Sequence, residues 1–324
     1  MKILVTGVAG FIGSHVAEFL LKRGDTVIGI DNMNDYYDVK LKLVNLDILR
    51  AYPNFDCYIG TDDGDICTTT IISKCKPNKI CHLASMAGVR YSLEHPKLYS
   101  KVNIEGFIHI LEEMQKNGIK DIVYASSSSV YGLNTKIPFC ETDEIKTCNS
   151  PYACSKLSME QFARTYYQLY GIRNIGFRFF TVYGPRGRPD MAPYKFMKAI
   201  HEGKTITKYG DGDSYRDYTY IDDIVAGVIN GLDIIGDRDA DGESNIKCEI
   251  YNLGNSNPIS LNDFISECEM AVGKKAIIKQ IGNQLGDVPR TYADITKAQK
   301  DLGYSPQTNI RDGLRKTFEY QKNI

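Results

Sequence analysis

The side chains best suited to acid–base chemistry in this sequence are a tyrosine and a lysine four residues apart, Tyr152 and Lys156. Pro151 precedes them and apolar residues then recur at helical spacing, which predicts a helix that begins there. Positions i and i+4 share one helix face, so the phenol and the ammonium point into the same space. A nearby cation lowers a tyrosine pKa, which makes Tyr152 a candidate general acid and base. Such pairs also occur on solvated helix faces, so the upstream segments decide between the two interpretations.

A glycine-rich loop lies between the first predicted strand, Lys2–Thr6, and a predicted helix that extends to about Lys22. Glycine lets a backbone approach a pyrophosphate, and a helix N-terminus supplies N–H donors and a positive dipole. A second predicted strand, Thr26–Ile30, ends in Asp31, which is placed to accept hydrogen bonds from an adenosine ribose. An acid there repels a 2′-phosphate, and no arginine follows it. The sequence therefore predicts a site for NAD rather than NADP.

Four consecutive serines, Ser126–Ser129, follow another predicted strand, Ile122–Ala125. Open α/β sheets bind ligands at the carboxyl ends of their strands, which is where this run lies. The alternative is a polar loop whose hydroxyls cap a helix. The helix with Tyr152 downstream favours the ligand site.

Other segments are less specific. Asn32, in a polar stretch after the second strand, could also reach the ribose, and Asp62 and Asp65 compete for a contact with the adenine. The predicted strand Ile80–Leu83 runs into small residues at 84–90, which would let the backbone lie against a dinucleotide.

The alternation of strands and helices stops after Gly184, and residues 185–216 are rich in turns. Tyr220–Leu232 predicts a return helix and Cys248–Leu253 one more sheet strand. We expect an α/β fold, a Rossmann-like doubly wound parallel sheet with a smaller C-terminal substrate-binding lobe. The expected NAD-binding domain is 1–181 with return segments at about 217–255, and the nucleotide-sugar-binding lobe is 182–216 with 256–324.

Composition argues against several functional classes. The chain has 324 residues, a net charge of −1 and 43% hydrophobic residues, and its basic residues do not cluster, so no nucleic-acid partner is expected. No apolar run approaches the length of a membrane span, and no membrane association is expected. Nine scattered cysteines without a CxxC pair indicate a reducing, cytoplasmic location. Five histidines without ligand spacing predict no metal site.

The combination of the glycine loop, Asp31, Ser127, Tyr152 and Lys156 resembles the extended short-chain dehydrogenase/reductase family over essentially the whole chain. Within that family, the sequence is most similar to the nucleotide-sugar epimerases that act on UDP-glucuronate. The motifs that carry this similarity are Ala87–Ser92, Ser126–Gly132, Arg178–Pro185, Gly187–Ala192 and Arg216–Asp223.

The resemblance implies a catalytic triad of Ser127, Tyr152 and Lys156, in which Tyr152 is the base and Lys156 also holds the nicotinamide ribose. The cofactor contacts expected for NAD are Gly7, Gly10, Phe11, Ile12, Gly13, Asp31, Asn32, Asp65, Leu83, Ala84, Ala87, Tyr152 and Lys156. The contacts expected for a UDP-sugar are Arg90, Ser127, Ser128, Ser129, Thr181, Arg188, Tyr209, Arg216, Asp287 and Arg290. Of these, the resemblance places Arg216, Asp287 and Arg290 on the UDP and Tyr209 beside the uridine.

Three positions depart from the family pattern: Arg186 stands where tryptophan is usual, Met86 where glutamine is common, and Cys154 lies between Tyr152 and Lys156. Related dehydratases and decarboxylases carry an acid in the serine stretch, whereas this chain has Ser128 and Ser129. That difference favours C4 epimerisation of UDP-glucuronate to UDP-galacturonate through a 4-keto sugar. The alternatives are a UDP-glucose 4-epimerase, a UDP-glucuronate decarboxylase, a sugar-nucleotide 4,6-dehydratase and a non-catalytic NAD-binding scaffold. The family also implies a homodimer that pairs the predicted helices at about 97–116 and 152–170.

Overall fold

The computed structural model of the chain describes residues 1–60, 64–237, 246–282 and 290–323. The strands are β1 (Lys2–Thr6), β2 (Thr26–Asp31), β3 (Phe55–Ile59), β4 (Lys79–His82), β5 (Asp121–Ser127), β6 (Arg173–Phe179), β7 (Thr181–Tyr183), β8 (Thr205–Tyr209), β9 (Tyr215–Arg216), β10 (Tyr218–Tyr220), β11 (Cys248–Leu253), β12 (Ile259–Ser260), β13 (Ile277–Ile281) and β14 (Arg290–Thr291). The α-helices are α1 (Phe11–Arg23), α2 (Val39–Arg50), α3 (Gly64–Cys75), α4 (Val89–Glu94), α5 (Pro96–Tyr99), α6 (Gly106–Asn117), α7 (Pro151–Tyr170), α8 (Ala192–His201), α9 (Ile221–Ile234), α10 (Leu261–Val272), α11 (Thr296–Leu302) and α12 (Ile310–Gln321).

Seven parallel strands form the central sheet, in the order β11-β6-β5-β4-β1-β2-β3. The direction of strand succession reverses between β1 and β4, so the loops that follow these two strands meet at the carboxyl edge. A Cβ added at Gly7, after β1, would lie only 2.8 Å from the backbone nitrogen of Ala84, after β4. Open α/β sheets bind ligands at such a switch point. The predicted doubly wound α/β fold is confirmed.

Helices cover both faces of the sheet, as the burial of alternate side chains of β1 shows. Ile3 and Val5 belong to a core cluster that includes residues of α1 and α9, whereas Leu4 belongs to a second cluster with residues of α6 and α7. All three side chains are fully buried. A strand that is covered on both faces needs this continuous apolar sequence, which is typical of parallel sheets.

The helix that carries Tyr152 begins and ends where its sequence dictates. The Ser150 hydroxyl accepts a hydrogen bond from the Ala153 N–H at 3.1 Å, Pro151 occupies the first turn, and Gly171 ends the helix in the left-handed region at φ 65°. The cap and the proline fix the first turn of α7, so the position of Tyr152 in that turn follows from the sequence.

The segment at about 97–116, which was predicted to be helical, is helical throughout, although its middle is not an α-helix. Between α5 and α6 the chain forms a π-helical segment, Ser100–Glu105. There the Asn103 side chain accepts a hydrogen bond from the Met86 N–H at 2.8 Å, donates to the Met86 carbonyl at 3.0 Å and donates to the Ser155 hydroxyl at 2.9 Å. Tertiary hydrogen bonds to the loop after β4 and to α7 thus accompany the interruption of the α-helix.

Residues 185–216, which were predicted to be rich in turns, also contain α8 and β8, and these two elements were not predicted. Met197 and Ile200 of α8 are buried, and this helix packs on α10 and α12 rather than on the central sheet. Its partners come from the end of the chain, so the alternating pattern of the first half gave no sign of it. Three further small sheets, β10-β7, β12-β9-β14 and β13-β8, lie outside the central sheet, and β7 follows directly after β6 along the chain.

Candidate active site

A cavity of about 810 Å³ opens at the carboxyl edge of the sheet, across the switch point. The loops after β1, β2, β4, β5 and β6 all contribute to its wall. The predicted site residues that line it are Gly7, Gly10, Phe11, Ile12, Gly13, Asp31, Asn32, Leu83, Ala84, Ala87, Ser127, Ser128, Ser129, Tyr152, Lys156, Thr181 and Arg188. The predicted catalytic group and most of the predicted cofactor contacts therefore share one space.

The loop after β1 has the close backbone packing that a dinucleotide cradle requires. Gly7 has a φ of 71°, which L side chains rarely adopt, and a Cβ at Gly13 would lie 2.1 Å from the Gly7 carbonyl oxygen. No other residue type fits at Gly13 without moving the loop. The N-terminus of α1 follows directly and supplies unpaired N–H donors for a pyrophosphate.

Asp31 is buried at the end of β2 and is already anchored by the backbone. Its Oδ2 accepts a hydrogen bond from the Ala9 N–H at 3.0 Å, and its Oδ1 accepts one from the Met33 N–H at 2.9 Å. A carboxylate oxygen accepts more than one hydrogen bond, so both oxygens retain capacity for ribose hydroxyls. The glycine loop and this carboxylate together fit an NAD molecule.

Ser127 ends β5 and caps the short 3₁₀-helix Ser128–Tyr131, where its hydroxyl accepts a hydrogen bond from the Ser129 N–H at 3.1 Å. The Ser127 side chain also lies near the phenol of Tyr152 and acts to lower the pKa of that phenol. Lys156 is 1% exposed, and its Nζ donates to the Ala125 carbonyl at 2.7 Å. Burial lowers the pKa of Lys156 to about 7, although Glu160 opposes that shift. The structure thus brings the three predicted catalytic side chains together.

The pKa of Tyr152 departs from the sequence-based expectation. Burial raises it above the ordinary value, whereas the Ser127 side chain and the charge of Arg188 act to lower it. The predicted net lowering by a nearby cation is therefore wrong. The cation that acts on the phenol is Arg188, and burial outweighs it.

A buried ionic network lies behind the catalytic side chains and was not predicted. Glu160 accepts a hydrogen bond from the Ser126 hydroxyl at 2.5 Å and two from Arg178, from Nε at 2.9 Å and from Nη2 at 2.7 Å. The Arg178 guanidinium also lies 4.8 Å from the centre of the Tyr131 ring. These contacts tie α7 to β5 and β6. The one signal in the sequence was the position of Glu160, one helical turn after Lys156.

Arg188 lies in the loop after β7 and makes a two-point ion pair with Asp190. Its Nε donates to Oδ1 at 2.9 Å and its Nη2 donates to Oδ2 at 2.6 Å. Tyr36, from the polar stretch after β2, donates its hydroxyl proton to the same Oδ2 at 3.0 Å. Neither Tyr36 nor Asp190 was predicted as a site residue, although each lies in a segment that the sequence analysis singled out.

Lys42 and His82 also line the cavity, and neither was predicted as a site residue. Lys42 is 4% exposed, donates to the Asn34 carbonyl at 2.7 Å and lies 4.9 Å from the centre of the Tyr37 ring. His82 shares a hydrogen bond of 2.9 Å with the Thr6 hydroxyl through Nδ1, and burial lowers its pKa to about 3, with a smaller contribution from Lys156. Within the described ranges, no group of histidine, cysteine or acidic side chains could hold a metal ion.

Four predicted substrate residues that the structure describes do not line the cavity: Arg90, Tyr209, Arg216 and Arg290. The guanidinium of Arg90 lies 5.5 Å from the ring centre of Tyr209, and that of Arg290 lies 4.1 Å from the ring centre of Tyr215. Arg290 and Arg216 are on neighbouring strands, since β14 pairs with β9. Asp287 and Asp62 lie outside the described residues, as does the side chain of Asp65. Arg186, which replaces the usual tryptophan, pairs with Glu18 of α1.

Comparison with known proteins places this geometry in context. A family model described as GDP-mannose 4,6 dehydratase matches residues 4–317. A UDP-glucuronate 4-epimerase of Thermodesulfobacterium geofontis is 44% identical over 320 residues, which cover 98% of this chain and 95% of that protein. The UDP-glucuronic acid 4-epimerase of Bacillus cereus, solved with UDP-glucuronic acid and NAD, has a TM-score of 0.90 at 35% identity, covering 100% and 99% of the two chains. A UDP-glucose 4-epimerase of Thermotoga maritima, solved with UDP-glucose, has a TM-score of 0.88 at 31% identity, covering 100% and 99%.

Proposed function

The chain belongs to the GDP-mannose 4,6-dehydratase family of extended short-chain dehydrogenases/reductases, and from this premise we propose that it is an NAD-dependent epimerase that inverts C4 of a UDP-sugar. The substrate that we propose is UDP-glucuronate, and the product is UDP-galacturonate. The observation that carries the proposal is that Ser127, Tyr152 and Lys156 line the same cavity as the glycine loop after β1.

NAD, held by the glycine loop and Asp31, supplies the chemistry of taking a hydride from sugar C4 and returning it to the opposite face. Tyr152 removes the proton of the sugar 4-hydroxyl and gives it back in the reverse step. Ser127 hydrogen-bonds the 4-oxygen of the sugar, both as a hydroxyl and as a ketone. Because Ser127 lies near the phenol of Tyr152, both side chains can reach the same oxygen. Arg188 favours the phenolate form of Tyr152 that accepts the proton.

The carboxylate of the sugar sets a special requirement. A ketone at C4 is β to the C6 carboxylate, and β-keto acids lose CO₂ readily. The enzyme must therefore hold the carboxylate so that the C5–C6 bond does not align with the ketone π system. Thr181, Arg188, Ser128 and Ser129 line the cavity and offer three hydroxyls and a cation for this purpose. Because the serine stretch has no acid to move a proton at C5, the same residues favour epimerisation over dehydration.

The UDP moiety, in this proposal, lies against the C-terminal region. Arg216 and Arg290 bind the diphosphate, because guanidinium groups present paired donors that match phosphate oxygens. Their placement on neighbouring strands supports a shared ligand. Asp287 contacts the UDP together with these two arginines. Tyr209 lies beside the uridine, and the guanidinium of Arg90 lies over the Tyr209 ring.

We assign residues 1–181 and about 217–255 to the NAD-binding domain, and residues 182–216 and 256–324 to the substrate-binding lobe. The position of β11 in the central sheet supports the return of the chain to the first domain. We further propose a cytoplasmic homodimer that pairs α6 and α7 of two copies. Light scattering on the purified protein tests the dimer. No helix in the described part of the chain is long and apolar enough to cross a membrane.

Incubation with UDP-glucuronate, UDP-glucose and UDP-xylose, with the products identified by NMR, tests the proposed reaction. We expect UDP-galacturonate from UDP-glucuronate and little turnover of the other two sugars. Efficient turnover of UDP-glucose would make the chain a UDP-glucose 4-epimerase. A pentose product would indicate a UDP-glucuronate decarboxylase, a 4-keto-6-deoxy product a dehydratase, and no product with any sugar a non-catalytic scaffold.

A further inference from the structure

Arg188 forms an ion pair with Asp190, an acid of its own loop. Both hydrogen bonds of the ion pair with Asp190 have the side-on, two-point geometry that gives strong guanidinium–carboxylate contacts. The side chains of Arg188 and Asp190 are 18% and 30% exposed, so water screens the pair only in part. Arg188 lines the cavity. A uronate in the cavity would therefore share one cation with Asp190.

The surrounding contacts fix the direction of the guanidinium. Its Nη2 also donates to the Ala87 carbonyl at 3.2 Å and contacts the Tyr36 hydroxyl at 3.4 Å, and the group lies 5.3 Å from the centre of the Tyr36 ring. Nη1 takes part in none of the hydrogen bonds that Arg188 makes with described residues. Nη1 is thus the nitrogen through which a ligand can be bound while the pair with Asp190 stays intact.

We infer that Asp190 is a positioning residue that shares the charge of Arg188 and so keeps the sugar carboxylate loosely bound. The inference rests on the proposed function. After oxidation at C4 the keto sugar must turn its other face to the cofactor, and its carboxylate must leave Arg188 during that turn. An unshared ion pair would hold the sugar in its first orientation. Such an ion pair between the sugar carboxylate and Arg188 would stabilise the bound sugar without stabilising the transition state. It would therefore lower KM and kcat together.

Tyr36 weakens the pair between Asp190 and Arg188, and so leaves more of the arginine charge for the substrate. Its hydroxyl donates to Asp190 Oδ2, the oxygen that also accepts from Arg188 Nη2. When the Tyr36 hydroxyl is removed, Arg188 is the remaining strong donor to Asp190. The ion pair between Asp190 and Arg188 then becomes tighter, and Arg188 binds the substrate carboxylate less strongly. A role of Asp190 and Tyr36 in loop structure alone would instead weaken substrate binding in both variants.

Calorimetry on the NAD-loaded Tyr152→Phe protein separates these two roles, because that protein is expected to turn over only slowly. With Asp190→Asn added, we expect the Kd of UDP-glucuronate to fall by about tenfold, the scale of one charge-assisted hydrogen bond. The Kd values of UDP-glucose and UDP should not change. With Tyr36→Phe added instead, the Kd of UDP-glucuronate should rise. Asp35→Asn removes an exposed charge next to Tyr36 on the loop after β2; it is the charge control and should change none of these Kd values.

Turnover supplies the second readout. In the enzyme with Tyr152 intact, Asp190→Asn should lower KM and kcat for UDP-glucuronate together and raise the steady-state near-ultraviolet absorbance of reduced nicotinamide. Unchanged or weaker binding of UDP-glucuronate by the Asp190→Asn protein would overturn the inference and leave the proposed function standing. If the Tyr152→Phe parent binds neither UDP-sugar more tightly than UDP, the proposed function fails and the inference fails with it.

Discussion

The ammonium of Lys156 donates a hydrogen bond of 2.7 Å to the carbonyl oxygen of Ala125, the residue that precedes the serine run on β5. This bond joins the helix with the acid–base side chain to the strand with the hydroxyl side chain. Because Lys156 is 1% exposed, little water competes for the bond. The relative position of Ser127 and Tyr152 thus depends on a lysine that is itself expected to touch the cofactor.

Lys156 should make the stability of the protein rise with pH over a defined window. Burial lowers its pKa from the ordinary 10.5 to about 7, so between these values the unfolded chain binds a proton that the folded chain does not. Stability attributable to this group therefore increases from about pH 7 to about pH 10.5. Lys156→Met should remove this contribution to the pH dependence. Across the whole window, the contribution to the free energy of unfolding is about a few kcal/mol. Urea unfolding of both proteins across the window measures it.

The exposed Lys146→Met variant is the control for this measurement, because its side chain is 79% exposed and it should leave the slope as in the wild type. Identical slopes for the wild type and Lys156→Met would contradict the assignment of a lowered pKa to Lys156.

Tyr152→Phe should keep NAD and lose most turnover. The substitution removes the proton acceptor but leaves the ring, whose centre lies 5.9 Å from that of Tyr99. General acid–base groups contribute about 10²–10⁴-fold to rate, and a loss of that size in kcat is expected. Release of cofactor on denaturation shows whether the site is intact. Near-normal kcat in the variant would mean that another group is the base.

Much of the cofactor half of the site is predictable because its chemistry depends on short-range sequence order. The glycine loop, the helix after it and Asp31 at the end of β2 follow one another along the chain, and the bounds of β1 are as expected. Tyr152 and Lys156 are likewise local, one helical turn apart. Local spacing also accounts for the start of α7 at Pro151.

The substrate half is not predictable in this way, because its contacts join distant parts of the chain. Tyr36 and Asp190 are separated by 154 positions, and they meet only in the folded chain, where the loop after β7 reaches the loop after β2. Helix α8 was missed because its packing partners, α10 and α12, come from the end of the chain. Burial of Tyr152, which reverses the expected shift of its pKa, is likewise a consequence of tertiary packing.

Arg188→Ala should reduce turnover of UDP-glucuronate far more than it reduces binding of UDP. Loss of the guanidinium removes the cation that holds the sugar carboxylate, so kcat/KM should fall by at least about tenfold, the scale of a lost hydrogen bond to a charged group. The share of decarboxylated pentose product should rise. NMR of the product mixture, beside calorimetry with UDP, checks both effects. An unchanged product ratio together with unchanged kcat/KM would rule out the carboxylate contact.

Arg216→Ala should weaken the binding of UDP itself. A guanidinium–phosphate contact contributes about 1.5–3 kcal/mol, so the Kd of UDP should rise by roughly tenfold or more. Arg315→Ala is the control, because its side chain is 61% exposed on α12. Calorimetry with UDP alone gives the result without turnover. Equal affinity in the Arg216→Ala and control proteins would mean that Arg216 serves the structure of the lobe rather than the diphosphate.

The fate of the hydrogen at C4 tests the central claim most directly. UDP-glucuronate that carries deuterium at C4 is incubated with the protein in ordinary water, and the product is analysed by NMR and mass spectrometry. Removal and return of the same hydrogen within one active site predicts UDP-galacturonate that retains the deuterium at C4, with no deuterium lost to solvent. Product with hydrogen at C4, or no C4-inverted product at all, would contradict the account.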